Sequence, residues 1–180
     1  LPRVDTAFIG RGAMNADALL RDGAAVLAKE SRYLDERLWD EWLALYCEDC
    51  EFWAPAWRND EEMTDDFERQ ISIFYFKSRA GLEDRVWRIR SGQAPALTPL
   101  PRTTHLIANS VLDDDAMADA MTLHSAWTCH VYNPRTRVQH VFFGRHEHHL
   151  IRQGGDLCIK RKKITLMNDY VPGMIDVFCV

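Results

Sequence analysis

Three long stretches in the second half of the chain alternate apolar and polar residues with a period of two, and no other feature limits the fold as tightly. In residues 119–132, Met121, Leu123, Trp127, Cys129 and Val131 share one parity, and Thr122, His124, Thr128 and His130 the other. That is the pattern of a strand with one face in a core. Residues 138–151 repeat it less cleanly: Val141, Phe143 and Ile151 oppose His140, His146 and His148, while Phe142 and Leu150 blur the alternation. In residues 157–167 the parity switches, with Leu157 and Ile159 on one side and Ile164 and Leu166 on the other. One extra residue near Arg161–Lys163 reconciles them, which predicts a β-bulge and a bent strand. Asn133-Pro134-Arg135 and Gln153-Gly154-Gly155-Asp156 supply the hairpin turns between these strands.

The first half reads as helices. Residues 1–14 hold Pro2, Gly10 and Gly12 and no period, so an extended arm is expected there. Asn15 is a good N-cap, and after it Leu19, Leu20, Val26, Leu27, Tyr33 and Leu34 recur at helical spacing over residues 16–36. Gly23 falls on the same stripe, which predicts close approach by another element. Leu38, Trp39, Trp42, Leu43 and Tyr46 continue as a second short helix over 38–46. Cys50 to Trp57 turns to strand chemistry and stops at Pro55. Residues 58–69 are acidic, a solvated loop; Ile71 to Phe76 is a short strand. A helix over 80–90 buries Leu82, Val86 and Ile89, with Glu83, Asp84, Arg85, Arg88 and Arg90 beside or opposite them. Ala94-Pro95 through Pro101 is a loop, the sheet begins near Thr103, and Met174–Val180 reads as a closing strand. Helices first and a curved antiparallel sheet later make an α+β domain over residues 15–180, its sheet wrapped around the helices.

A chain of 180 residues with net charge −5 is one domain long and has no basic block for nucleic acid. Neither a membrane-length apolar run nor a secretion signal is visible. Five cysteines are therefore expected as free thiols in a reducing cytoplasm. Cys47-Glu48-Asp49-Cys50 is a lone Cys-x-x-Cys at a helix end, without the second pair that zinc needs. The run His146-Glu147-His148-His149 invites a metal reading, yet on a strand only His146 and His148 share a face. A two-His, one-carboxylate iron site needs a third ligand, which His140, or His124 and His130 from the neighbouring strand, could supply. The preferred alternative is a polar strand face in solvent or at a subunit contact. A Rieske cluster needs two Cys–His pairs, and Cys129-His130 stands alone. No nucleophile elbow, P-loop or dinucleotide fingerprint is present.

The densest polar wording lies between Arg79 and Asn109. Gly81-Leu82-Glu83-Asp84-Arg85-Val86-Trp87-Arg88-Ile89, followed by Pro101-Arg102-Thr103-Thr104-His105, resembles the small (beta) subunit of Rieske-type aromatic-ring-hydroxylating dioxygenases, in the branch acting on benzoate, toluate, halobenzoate or anthranilate. Further matches in the same order are Phe52-Trp53-Ala54-Pro55-Ala56-Trp57, Ile71-Ser72-Ile73-Phe74-Tyr75, Phe142-Phe143-Gly144, Lys162-Lys163-Ile164 and Asn168-Asp169-Tyr170. The resemblance implies an NTF2-like (cystatin-like) cone with N-terminal helices packed in a curved mixed or antiparallel sheet. It implies a structural, cytoplasmic subunit with no catalytic, cofactor or metal site of its own. The Rieske [2Fe-2S] centre and mononuclear Fe(II) would sit in a partner alpha subunit, with NADH acting through a separate reductase. An α3β3 assembly containing a beta homotrimer follows, without nucleic acid or membrane as partner. Arg79, Arg85, Arg88, Arg102 and His105 match the family wording and are expected at subunit contacts. The His-rich run beginning at Arg145 departs from that wording. Cone-shaped relatives such as scytalone dehydratase and ketosteroid isomerase work inside the cone. A stand-alone dehydratase or isomerase using Tyr33, Asp35 and His105 is accordingly the rival reading, and a small-molecule-binding protein the third. Against both, Trp39, Trp42, Phe52, Trp53 and Trp57 are expected to fill the interior.

Overall fold

The computed structural model describes residues 6–92, 98–168, 170, 171 and 173–180, with side chains from residue 16 onward. Its elements are α1 (Thr6–Asp35), α2 (Trp39–Ala44), β1 (Tyr46–Pro55), β2 (Ser72–Phe76), α3 (Arg79–Arg90), β3 (Arg102–Leu112), β4 (Ala120–Asn133), β5 (Val138–Gln153), β6 (Asp156–Leu166) and a 3-10 turn at Val177–Cys179. One six-stranded sheet runs β2-β1-β6-β5-β4-β3. The β1–β6 pair is parallel and the rest are antiparallel, so the sheet is mixed. It is curved and unclosed, with α1 lying along its inner face against β3, β4 and β6. Among the described residues no helix is long and apolar enough to cross a membrane.

The arm expected over 1–14 lies partly outside the described residues; the α1 backbone begins at Thr6, inside that span, and runs through Asn15 rather than starting after it. Part of the loop expected from Ala94 to Pro101, residues 94–97, also lies outside them. The buried stripe of α1 is Leu19, Gly23, Val26, Leu27, Glu30 and Leu34, at spacings of three and four. A Cβ added at Gly23 would stand 2.7 Å from a Leu123 methyl, so glycine here lets α1 seat on β4.

Strand β4 buries the predicted face, but β5 reverses its prediction. Phe142, Gly144, His146, His148 and Leu150 point inward, and Phe143 is exposed. The residues that blurred the pattern were the core face. The polar strand face preferred for His146 and His148 is corrected accordingly, because these two side chains fill the core.

The bulge exists, one residue early. His149 pairs with Arg161 and Leu150 with Ile159, so Lys160 is the extra residue and the ladder from Arg161 to Leu166 is regular. Lys162 is the cause: it is buried on the parity of Ile164 and Leu166, where a count of apolar residues alone overlooks it.

Two further segments differ. β1 starts at Tyr46, which places the Cys47–Cys50 run on a strand instead of a helix end. Residues 174–180 form no strand; Val177, Phe178, Cys179 and Val180 turn inward and are buried.

The interior is filled by Trp39, Trp42, Tyr46, Phe52, Phe142 and Phe178. Trp53 has the opposite parity to Phe52 and packs on the outer wall under the 58–71 loop, edge-on to Phe67 at 6.0 Å. Trp57 joins it there, donating to the Leu166 carbonyl at 2.7 Å.

Candidate functional site: the cone interior and the arginine helix

Glu30 sits in the middle of the buried stripe of α1, which carries its carboxylate into the core, 2 % exposed. Three donors meet it. Lys162 Nζ from β6 lies 2.9 Å from Oε1, the Tyr46 hydroxyl donates to the same oxygen, and His148 Nε2 from β5 lies 3.0 Å from Oε2. Lys162 also donates to the Val180 carbonyl at 3.3 Å and lies over the Phe52 ring. Burial alone would raise the Glu30 pKa, but Lys162, His148 and Tyr46 outweigh it and hold the carboxyl well below the usual range. Burial pushes His148 down despite Glu30, so its Nε2–H donates from a neutral ring. The neighbouring His146, stacked on Trp127 at 4.9 Å, is pushed well below its usual value by burial and by Lys162. A carboxylate enclosed by three donors and shut from solvent is built to hold charge in place. It has no access to abstract a proton from a substrate.

The proposed acid–base trio is not assembled. Asp35 ends α1 and reaches the edge strand β3, accepting from Thr103 Oγ1 at 2.8 Å, His105 N at 2.9 Å and His105 Nδ1 at 2.7 Å. These contacts tie the helix end to the sheet. Tyr33 instead lines a surface cleft between α1, α2 and the β5–β6 hairpin with Asp22, Lys29 and Arg152.

Of the candidate metal ligands the structure brings His146 and His148 together, with ring centroids 5.2 Å apart, and separates the others from them. Glu147 and His149 point outward, toward Arg161 at 3.6 Å and Thr122 at 3.2 Å. His124 pairs with Asp113 at 2.9 Å, and His140 packs edge-on to Phe142. Among the described residues no three His, Cys, Asp or Glu side chains are grouped to hold a metal. Cys47 is disulfide-bonded to Cys158, Cα to Cα 5.6 Å, so the expectation of five free thiols is corrected. The pairing follows from the β1–β6 adjacency, which parity alone does not reveal; Cys50, Cys129 and Cys179 are free and buried.

The five interface candidates divide between opposite ends of the sheet. Arg79 bonds Glu83 at 3.0 Å and the Tyr46 carbonyl at 3.3 Å. Arg85 clamps Asp176 with two bonds of 2.8 and 3.0 Å, and Asp176 also accepts from Val177 N, which pins the 3-10 turn. Arg88 is exposed and its guanidinium has no ion pair among the described residues. Arg102 lies on β3, the far edge strand, over the Tyr132 ring at 5.9 Å, and His105 is buried beside Asp35. Two features escaped the sequence reading. Arg90 forks onto Asp40 of α2 at 2.8 and 2.9 Å, and Trp87 is 62 % exposed on the outer face of α3.

The profile of a protein family described as ring hydroxylating beta subunit matches residues 29–173. The chain belongs to that family. As a beta subunit it is 37% identical over 159 residues to the 2-halobenzoate 1,2-dioxygenase small subunit of Burkholderia cepacia, covering 88% of this chain and 94% of that one. It superposes on the crystal structure of the benzoate 1,2-dioxygenase beta subunit of Burkholderia mallei with a TM-score of 0.72, at 31% identity and full coverage of both chains. A scytalone dehydratase-like protein of Novosphingobium aromaticivorans matches at TM-score 0.64 and 17% identity, covering 87% of this chain and 91% of that one, which shows the shared cone fold alone. The beta subunit is thus the small subunit of an aromatic-ring-hydroxylating dioxygenase, an oxidoreductase complex.

Proposed function

We propose that this beta subunit is the non-catalytic, structural partner in a terminal oxygenase that dihydroxylates benzoate or a substituted benzoate. It works in the cytoplasm as an α3β3 complex built around a beta homotrimer. The alpha subunit holds the Rieske [2Fe-2S] centre and the Fe(II), and a reductase delivers electrons from NADH. Residues 15–180 act as the single domain, and the backbone of α1 extends ahead of it from Thr6. The observation that carries the non-catalytic reading is the filled cone: where a dehydratase keeps an open acid–base pocket, this chain places the sealed Glu30–Lys162 pair and its aromatic packing. Contacts run through Arg79, Arg85, Arg88, Arg102 and His105. Arg88 acts beside Trp87 on the surface of α3, which Arg79 and Arg85 hold in place from behind, while Arg102 and His105 serve a second contact at the β3 edge.

The test reconstitutes the alpha subunit with parent beta, with Arg88→Ala and with His105→Gln, and reads light scattering and benzoate turnover per assembled complex. Arg88→Ala should lower the amount of complex. His105→Gln should leave turnover per complex unchanged. A His105→Gln complex that assembles fully yet turns over no benzoate would overturn the non-catalytic assignment.

A further inference from the structure

The inner wall of the sheet carries polar atoms that the Glu30 network does not use. On β4 and β5, Ser125 Oγ, Trp127 Nε1, both ring nitrogens of His146 and Nδ1 of His148 each expose less than 1 Å² and have no hydrogen-bond partner among the described residues. His105 Nε2 on β3 is in the same condition. The β4 and β5 side chains are neighbours. Ser125 lies directly opposite His146 in the β4–β5 register. Trp127 stacks on the His146 ring at 4.9 Å, and the His146 and His148 rings meet edge to face at 5.2 Å. A neutral imidazole has one donor and one acceptor, and both of those on His146 are sealed away from bulk solvent.

Buried polar groups of this kind are satisfied in folded proteins, by protein or by bound solvent. The charge balance selects the occupant. Glu30 and Lys162 cancel each other at 2.9 Å, which leaves neutral rings, an indole and a hydroxyl as the lining. Such a lining repels no charge but compensates none, so a bound anion or cation would be buried without a counter-ion. Water needs two to four polar partners and can both donate and accept, as this mixture of ring nitrogens, hydroxyl and indole N–H demands.

We propose that the cone holds an internal water site centred on His146, in which ordered water bridges His146 to Ser125 and His148 and completes the polar wall between the Glu30 network and the Asp35–His105 pair. This assignment stands on the geometry of the chain and not on the functional reading above. It makes His146 a positioning residue of the wall, its tautomer fixed by bound solvent.

The experiment is a crystal structure of the full beta subunit at a resolution that shows ordered solvent, paired with water magnetic relaxation dispersion on the parent and on His146→Leu. Expected are water density within hydrogen-bond distance of a His146 nitrogen and, in the variant, the loss of at least one long-lived water. A map in which both His146 nitrogens bond directly to protein atoms, or meet no solvent density, overturns the proposal. So does a folded His146→Leu variant with an unchanged count of long-lived waters. Should His146→Leu fail to fold, the parent map decides alone, since it needs no variant.

Discussion

Replacing Lys162 by methionine keeps most of the apolar stem and removes the charge, which isolates what the cation contributes to the core. In the parent, Lys162 Nζ gives bonds of 2.9 Å to Glu30 Oε1 and 3.3 Å to the Val180 carbonyl, with both charged side chains 3 % exposed or less. Without the ammonium, Glu30 keeps only the Tyr46 hydroxyl and His148 as donors, and its charge is buried with no counter-ion. Breaking a buried pair from one side costs about 3–5 kcal/mol, a large share of the ~5–15 kcal/mol by which a domain is stable. The carboxyl can relieve part of that cost by taking up a proton, because the influence holding its pKa low is gone. The loss should therefore be larger at pH 8 than at pH 5. The assay is urea unfolding followed by tryptophan fluorescence at one protomer concentration, on the parent, Lys162→Met, Glu30→Leu and the double variant. The double should recover part of what either single loses, since no lone charge stays buried in it, although the Tyr46 hydroxyl and His148 Nε2–H lose Glu30 as their acceptor. A Lys162→Met variant within ~1 kcal/mol of the parent, or a double as damaged as the sum of the singles, would refute the reasoning.

Other outcomes follow from the same geometry. His146 and His148 are both held below the ordinary 6.5 by burial, so below pH 6.5 the unfolded chain binds protons that the folded chain refuses. Stability should be flat above that pH and fall toward acid, by at most about 1.4 kcal/mol per pH unit for each histidine, read as urea midpoints from pH 8 to 5; a flat profile from 7.5 to 5.5 contradicts it. The Cys47–Cys158 bond closes a separation of 111 residues, so Cys47→Ala should cost up to about 5 kcal/mol on the loop-entropy account, and non-reducing peptide mapping of the parent should recover the linked peptides. Gly144→Ala would set a Cβ 1.8 Å from the Thr165 carbonyl oxygen; the β5–β6 ladder must part, and the melting temperature should fall by several degrees, where no change would show that the strands can shift freely.

The sheet was legible because alternation is a strong signal wherever apolar side chains mark the inner face, as on β4. It failed on β5 because three successive inward positions are Gly144, His146 and His148, none of which reads as core. The same blindness displaced the bulge, since Lys162 holds a core position. Yet a signal was present. Glu30 falls on the stripe of Leu19, Val26, Leu27 and Leu34, and Lys162 on the parity of Ile164 and Leu166; an acid and a base each out of place in an apolar row are a pair in waiting. The arginine-rich stretch shows the opposite limit. Its residues are adjacent in sequence, but α3 packs near β1 while β3 forms the far edge of the sheet, and only long-range topology separates them.

That separation bears on how α3 could serve an assembly. Three of its arginines are already engaged: Arg79 to β1, Arg85 to Asp176 before the 3-10 turn and Arg90 to Asp40 on α2. The exposed Arg90–Asp40 pair contributes little stability, because solvent screens it, whereas Arg85 pairs with the buried Asp176. Their value lies in orientation, since the forks of Arg85 and Arg90 and the single bond from Arg79 to the Tyr46 carbonyl fix the helix against three separate parts of the chain. Binding loses less entropy when the surface is ordered beforehand. A rigid helix presenting Trp87 at 62 % exposure beside Arg88, which has no ion pair among the described residues, has the residue types that dominate interface hot spots. On this argument Trp87→Ala should weaken assembly at least as much as Arg88→Ala while leaving the urea midpoint of the isolated subunit nearly unchanged. Arg85→Ala should do the reverse, lowering that midpoint first and assembly only through it.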